Sequence, residues 1–93
     1  MAIKNKLSFQ KKVRILCFCI RSGYDIQLAA QRFHVPHHLV NEWLERFEEG
    51  DVEALLTPQE FISKKELDRA ALDLSDALID LGEILEKMHR EYI

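Results

Sequence analysis

The stretch Asp25–Phe47, DIQLAAQRFHVPHHLVNEWLERF, decides the fold, because it predicts two short helices joined by a tight turn. Asp25 is a good N-cap for the first helix, since its carboxylate can accept from the unpaired N–H groups of the first turn. Pro36 has no N–H and biases Val35 away from the helical region, so one helix ends before this pair and another begins after it. The apolar positions follow helical spacing in both segments and are Ile26, Ala29, Ala30, Phe33, Val40, Trp43, Leu44 and Phe47.

The offsets around this turn are typical of a DNA-binding helix-turn-helix. Two helices that cross steeply need a small residue where they meet and an apolar residue in the turn, and Ala30 and Val35 fit these positions. Val40 and Trp43 follow at the expected offsets in the second helix. The alternative is a helical hairpin with a buried alanine and tryptophan that has no role in DNA binding.

A longer motif surrounds the turn and consists of Ala29-Ala30, Val35-Pro36, Val40, Trp43 and the trailing Glu49-Gly50 with Leu55. In this motif, residues 7–56 resemble the N-terminal helix-turn-helix domain of insertion-sequence transposases, including small first-frame proteins that couple this domain to a leucine zipper. The resemblance implies DNA recognition and assembly, with a separate catalytic transposase or a regulatory protein as a further partner. The chain departs from the family at His34, where Gly is usual, and in the acidic helix after Trp43, where the family is usually rich in Arg.

A first helix is predicted from Ser8, with an apolar stripe at every third or fourth residue, and Ser22-Gly23 ends it. Cys17 and Cys19 are two residues apart, so on a helix they point to nearly opposite sides and cannot pair with each other. We expect one core thiol and one partly exposed thiol in a reducing compartment. The predicted core of the three-helix domain consists of Phe9, Val13, Leu16, Ile20, Ile26, Ala30, Phe33, Val35, Val40, Trp43, Leu44 and Phe47.

The C-terminal third predicts one long helix. A start signal at Thr57-Pro58 recurs at Ser63, so the helix either restarts there or runs through. A heptad pattern then follows, which indicates oligomerisation through Leu67, Ala71, Leu74, Leu78, Leu81, Leu85 and Met88. The apolar arc is wider than a two-stranded zipper needs, so the helix either packs between a symmetry mate and its own domain or covers its own domain alone. We therefore divide the chain into a helix-turn-helix domain, residues 1–56, and an oligomerisation helix, residues 57–93.

Composition bounds the remaining possibilities. The chain has 93 residues, 47% of them hydrophobic and 31% charged, which is ordinary for a globular protein. No apolar run approaches the ~20 residues that span a bilayer, and the basic N-terminus does not lead into a signal peptide, so we expect a cytoplasmic protein with no membrane partner. Residues 1–47 carry eight Lys and Arg against three acidic residues, whereas residues 48–93 carry five against thirteen. A basic half joined to an acidic half is expected of a nucleic-acid module with a protein-interaction element, or of two solvated faces.

No catalytic constellation is visible, and we expect no enzymatic activity, no cofactor and no metal site. For double-stranded DNA, Asn41 can pair with adenine and Glu42 can accept from cytosine N4. The predicted DNA-binding residues are His37, His38, Asn41, Glu42, Gln27, Lys11, Lys12, Arg14 and Arg32, with Lys4 and Lys6 as further phosphate contacts. Two functions remain. The first is a sequence-specific DNA-binding protein, transposase-related or regulatory, that forms a homodimer or tetramer, and the second is a protein-interaction module that retains the fold without binding DNA.

Overall fold

The computed structural model describes residues 8–56 and 62–91, and it confirms the predicted all-α fold. Three short helices pack together: α1 at Phe9–Arg21, α2 at Ile26–Phe33 and α3 at His37–Gly50. A 3-10 helix at Val52–Leu55 follows α3, and the long helix α4 occupies Lys64–Glu91. The start signal at Thr57-Pro58 lies outside the described residues, as do Lys4 and Lys6. The domain boundary after residue 56 adjoins the same undescribed segment.

Three helices begin where the sequence predicts an N-cap. The side chains of Ser8, Asp25 and Ser63 each accept a hydrogen bond from the backbone N–H three residues later, at 3.2, 3.0 and 3.1 Å. These bonds satisfy N–H groups that the first turn of a helix leaves unpaired. Because Ile62 and Ser63 are not helical, α4 begins at the second of its two predicted start signals.

The turn between α2 and α3 contains a left-handed residue at His34, the position where the resembled family usually has Gly. His34 adopts φ 57° and ψ 45°, and the backbone N–H of Val35 donates to the carbonyl of Ala30 at 3.0 Å. The third helix reaches Gly50, three residues beyond the stretch Asp25–Phe47. Glutamates at 48 and 49 are good helix formers, and the helix ends only where Asp51 takes a positive φ of 66°.

The core includes residues that the single predicted stripe on α1 omits. Ile15, Cys19 and Ala29 are completely buried. This happens because α1 packs against α2 and α3 on one side and against α4 on another, so more than one stripe of α1 is covered. The prediction of a partly exposed thiol is wrong, since Cys17 and Cys19 are both buried. The half-buried members of the predicted core are Ile26, Phe33, Val35 and Phe47.

The long helix runs parallel to α1 and extends past it. Gln10 donates to Glu66 near the start of both helices, and the Arg21 guanidinium donates to Asp80 at 2.9 Å near the end of α1. At 1.5 Å per residue, the 28 residues of α4 span about 42 Å and the 13 of α1 about 20 Å. The last turns of α4 therefore project beyond α1. Within the described parts of the chain, no helix is long and apolar enough to cross a membrane.

Candidate nucleic-acid interface

The first turns of α3 carry the residues that were predicted to contact bases. His37 and His38 are exposed, whereas Asn41 and Glu42 are half-buried. The first turn of α3 contains no acidic residue. Its unpaired N–H groups and its polar side chains therefore lie together at the positive end of the helix dipole, where an anion is favoured.

The carboxylates of α3 are concentrated toward its C-terminal half. Glu45, Glu48 and Glu49 are exposed there. Glu42 accepts a hydrogen bond from Arg46 one turn later at 2.9 Å, so this carboxylate already has a partner within the helix. The outward surface of α3 thus has a first turn without carboxylates, then Glu42 paired with Arg46, and then a strongly acidic C-terminal part.

Two basic side chains lie over aromatic rings between α1 and α2. The Nζ atom of Lys11 is 5.8 Å from the ring centroid of Phe33, and the guanidinium carbon of Arg32 is 5.3 Å from that of Phe18. The two rings meet edge to face, with centroids 5.7 Å apart. Cation–π contacts of this kind hold both charges on one surface. Phe33 is four residues from His37, a chain distance of at most about 14 Å, so this basic surface lies near the start of α3.

The remaining predicted phosphate contacts occupy different positions. Gln27 is exposed in the first turn of α2, and Arg14 is exposed one helical turn after Lys11 on α1. Arg14 also lines the groove between α1 and α4, where Arg69 lies beside the acidic Glu66. Arg14 therefore lies between the basic surface of Lys11 and a groove of mixed charge.

Lys12 does not lie on the surface, contrary to the prediction that it contacts phosphate. Its side chain is only 6% exposed, and its Nζ donates to the carbonyl oxygen of Leu55 at 3.1 Å. The same ammonium lies 6.0 Å from the ring of Trp43. Lys12 is spaced three and seven residues before Ile15 and Cys19, which are both buried, and this spacing is the sequence signal that could have indicated its inward position.

The structure separates the predicted oligomerisation residues into two groups. Leu74 and Leu81 are buried in the core of the same chain, with Leu67 half-buried beside them, so these three leucines are not available as an intermolecular seam. Ala71, Leu78, Leu85 and Met88 are exposed. The reason is that α4 packs on α1 along the side that carries Leu74 and Leu81, and this contact also buries Ala70 and Ala77.

A second apolar surface of α4 remains uncovered, and we call it the outer face. At 100° per residue its members fall within an arc of roughly 140°, turned away from the centre of the buried stripe. Leu72, Leu78, Ile79 and Leu85 are 40–64% exposed. Such a continuous exposed apolar surface indicates an interface with a partner. The outer face consists of Ala71, Leu72, Ser75, Leu78, Ile79, Gly82 and Leu85.

Comparisons with known proteins identify no family. No protein-family model matches this chain, and neither a curated protein nor a solved structure is similar to it. What the molecule itself shows is a small helical domain of three short helices and a long C-terminal helix with an uncovered apolar surface.

Proposed function

We propose that this protein is a sequence-specific DNA-binding protein, transposase-related or regulatory, that oligomerises through α4. The observation that carries the proposal is the division of α3, whose first turn has no carboxylate and lies near the basic surface of Lys11 and Arg32. In helix-turn-helix proteins the N-terminal residues of the second helix contact base edges in the major groove. The acidic half of α3 would then point away from the centre of the contact.

Base contacts would come from three side chains in the first turns of α3. Asn41 can make the bidentate pair with adenine, and the imidazoles of His37 and His38 can reach a base or a phosphate. Glu42 contributes less than its type alone suggests, because a contact with cytosine would compete with its 2.9 Å bond to Arg46.

Phosphate contacts would come from the surface between α1 and α2. Lys11, Arg32 and Arg14 supply the charge, and Gln27 adds a neutral donor at the first turn of α2. Lys12 has no part in this surface, because its ammonium is bound inside the core. Of the four predicted cations within the described residues three remain on this surface, so we expect a shallower salt dependence than the sequence composition suggests.

The transposase-like motif in residues 7–56 supports this function and limits it to recognition and assembly. The chain would bring two or more α3 helices to a DNA site, while bond cleavage and joining would belong to a separate catalytic protein. We therefore propose no enzymatic activity for the chain itself.

A protein-interaction module without DNA binding is the second candidate, and one observation favours it. Glu45, Glu48 and Glu49 form an exposed acidic surface at the end of α3, and carboxylates near a duplex oppose the electrostatic attraction that supplies most non-specific affinity. A basic protein surface would be the complementary partner for these side chains.

Selection from a random duplex pool, followed by binding titrations of the enriched sequence, tests the first function. We expect Asn41→Ala to weaken binding to the selected sequence by about 1–3 kcal/mol and to change binding to unrelated DNA little. Lys11→Ala should weaken binding to both DNAs and reduce the slope of affinity against salt by about one unit.

The matched control for these variants is Lys64→Ala, which removes a surface lysine from the start of α4, away from α3. Equal losses on all sequences for Asn41→Ala would contradict base readout by α3. If the folded wild type binds no duplex at about 50 mM salt, where non-specific binding is strong, the protein-interaction function replaces DNA binding.

A further inference from the structure

We propose that the outer face of α4 binds the same face of a second copy with the two helices antiparallel. This inference rests on the oligomerisation in the proposed function and specifies its surface and its direction. The outer face is free for such a contact because it is a different side of α4 that packs on α1.

The outer face is nearly symmetric about its midpoint at Leu78 and Ile79. Ser75 and Gly82 lie one turn before and after this midpoint, and Leu72 and Leu85 lie about two turns away on either side. Reversing a second helix about the midpoint therefore places leucines near leucines and small residues near small residues. A self-complementary surface is what a two-fold interface requires, since the same patch serves both partners.

Gly82 provides a second observation. Glycine destabilises a helix interior relative to alanine, so its presence there needs a reason. A Cβ atom built at Gly82 would meet no other atom of the chain within 4 Å, so packing within this molecule does not require glycine. Close approach by a helix of a second molecule would require glycine at position 82.

The direction of the second helix follows from the charges at the two ends of the outer face. Asp68 and Glu86 lie within the angular range of this face, one before and one after its apolar part. In a parallel pair each carboxylate would meet its own copy, which is unfavourable. In an antiparallel pair centred on Leu78 and Ile79, Asp68 comes level with His89 of the other copy and within one residue of its Arg90, whose guanidinium already neutralises Glu86 through a 2.8 Å ion pair.

The first part of the test asks whether this face holds the dimer. Sedimentation velocity at tens of micromolar should give a dimer for the wild type and a monomer for Leu78→Asp or Ile79→Asp. The matched control is Ile84→Asp, because Ile84 is 45% exposed on the same helix but lies on the opposite side, near Arg21 and Lys87. Circular dichroism of each variant verifies that it is folded.

The second part measures direction with a single spin label at Lys65→Cys, which is exposed and outside the outer face. Pulsed electron paramagnetic resonance should give a distance between the two labels of about 40 Å in an antiparallel dimer, from a rise of 1.5 Å per residue. A parallel dimer would give roughly 20 Å or less at this position, since equal residues then lie at equal height.

The native thiols should not interfere with labelling. Burial raises the pKa of Cys17 to about 11 and also raises the pKa of Cys19, so both remain protonated at neutral pH. Wild type exposed to the label reagent serves as the control and should take up little of it.

The outcomes separate this inference from the proposed function. A dimer that dissociates in Leu78→Asp but not in Ile84→Asp, with labels about 40 Å apart, supports the inference. A dimer with the short label distance overturns the antiparallel arrangement and leaves oligomerisation through α4 intact. A monomeric wild type, or a Leu78→Asp variant that still sediments as a dimer, overturns the interface itself, while DNA binding is judged separately by the titrations.

Discussion

His34 has a left-handed backbone conformation that a residue with a Cβ atom rarely adopts. Its φ of 57° and ψ of 45° allow its N–H and that of Val35 to reach the carbonyl of Ala30, which closes the end of α2. The side chain is exposed, so nothing in the packing compensates for the strain. The position tolerates histidine because a single left-handed residue costs only about 1–2 kcal/mol.

Replacing His34 with glycine should therefore stabilise the protein. We expect the His34→Gly variant to have a free energy of unfolding about 1 kcal/mol higher than the wild type, because glycine adopts positive φ without steric cost. Chemical denaturation monitored by circular dichroism measures the difference. His38→Gly is the matched control and should destabilise the protein, because His38 is an exposed residue inside α3. A loss of stability in His34→Gly would contradict the interpretation that the backbone of His34 is strained.

At the scale of the elements, Lys12 attaches the 3-10 helix to α1. Its ammonium donates to the carbonyl of Leu55 at 3.1 Å, and that residue is almost completely buried. A buried carbonyl without a partner is costly, so this bond determines how the chain after α3 returns to the core. The stem of Lys12 also fills space between α1 and α3, near Trp43.

We expect Lys12→Ala to lower the free energy of unfolding by about 2 kcal/mol or more, since it removes both the bond to Leu55 and buried methylene groups. Lys11→Ala, its neighbour on the surface, should change stability by less than about 0.5 kcal/mol. Thermal and urea denaturation of both variants provide the comparison. The prediction fails if the two substitutions are equally mild.

The variants of Lys11 and Lys12 should differ in their effects on stability and on DNA affinity. In the DNA titrations Lys11→Ala should reduce affinity while stability is retained. Lys12→Ala should lower the free energy of unfolding. The DNA affinity of its folded molecules should keep the salt dependence of the wild type, because the charge of Lys12 does not reach the surface. We therefore expect different roles for these adjacent lysines, because Lys11 reaches the surface of α1 and Lys12 is buried.

At the scale of the whole molecule, α4 would connect the proposed recognition surface to the proposed dimer interface. One side of this helix packs along α1 from Leu67 to Leu81, and the other side carries the outer face. A dimer formed through the outer face would present two α3 helices, one from each copy. Two linked contacts bind a two-part DNA site far more tightly than one contact does.

Leu78→Asp should therefore weaken binding to a DNA with two half-sites by on the order of 100-fold, because each copy then binds alone. Binding to a DNA with one half-site should change little, since α3 is untouched. Fluorescence anisotropy with the two DNAs measures both effects, and Ile84→Asp provides the control. Equal losses on both DNAs would indicate that the substitution damages the three-helix domain itself.

Local signals in the sequence were sufficient for the all-α architecture and for most helix boundaries. Ser8 and Asp25 cap their helices, Pro36 directly precedes α3, and Gly23 follows α1, because capping and backbone restrictions act within a few residues. The left-handed conformation of His34 was indicated only by the resemblance, in which Gly usually stands at this position. Helical periodicity predicted that the proposed base-contacting residues of α3 lie on the side away from its buried stripe.

Only the tertiary structure decided which side of each helix is covered. The heptad pattern of α4 marks a wide apolar arc, but whether Leu74 and Leu81 or Leu78 and Leu85 face the chain's own core depends on where α1 lies. The burial of Lys12 depends equally on the carbonyl of Leu55, which is 43 residues away in sequence. Periodicity specifies an apolar face by short-range geometry, whereas the neighbour that covers it is set by packing between segments distant in the chain, because burial of apolar surface is non-directional.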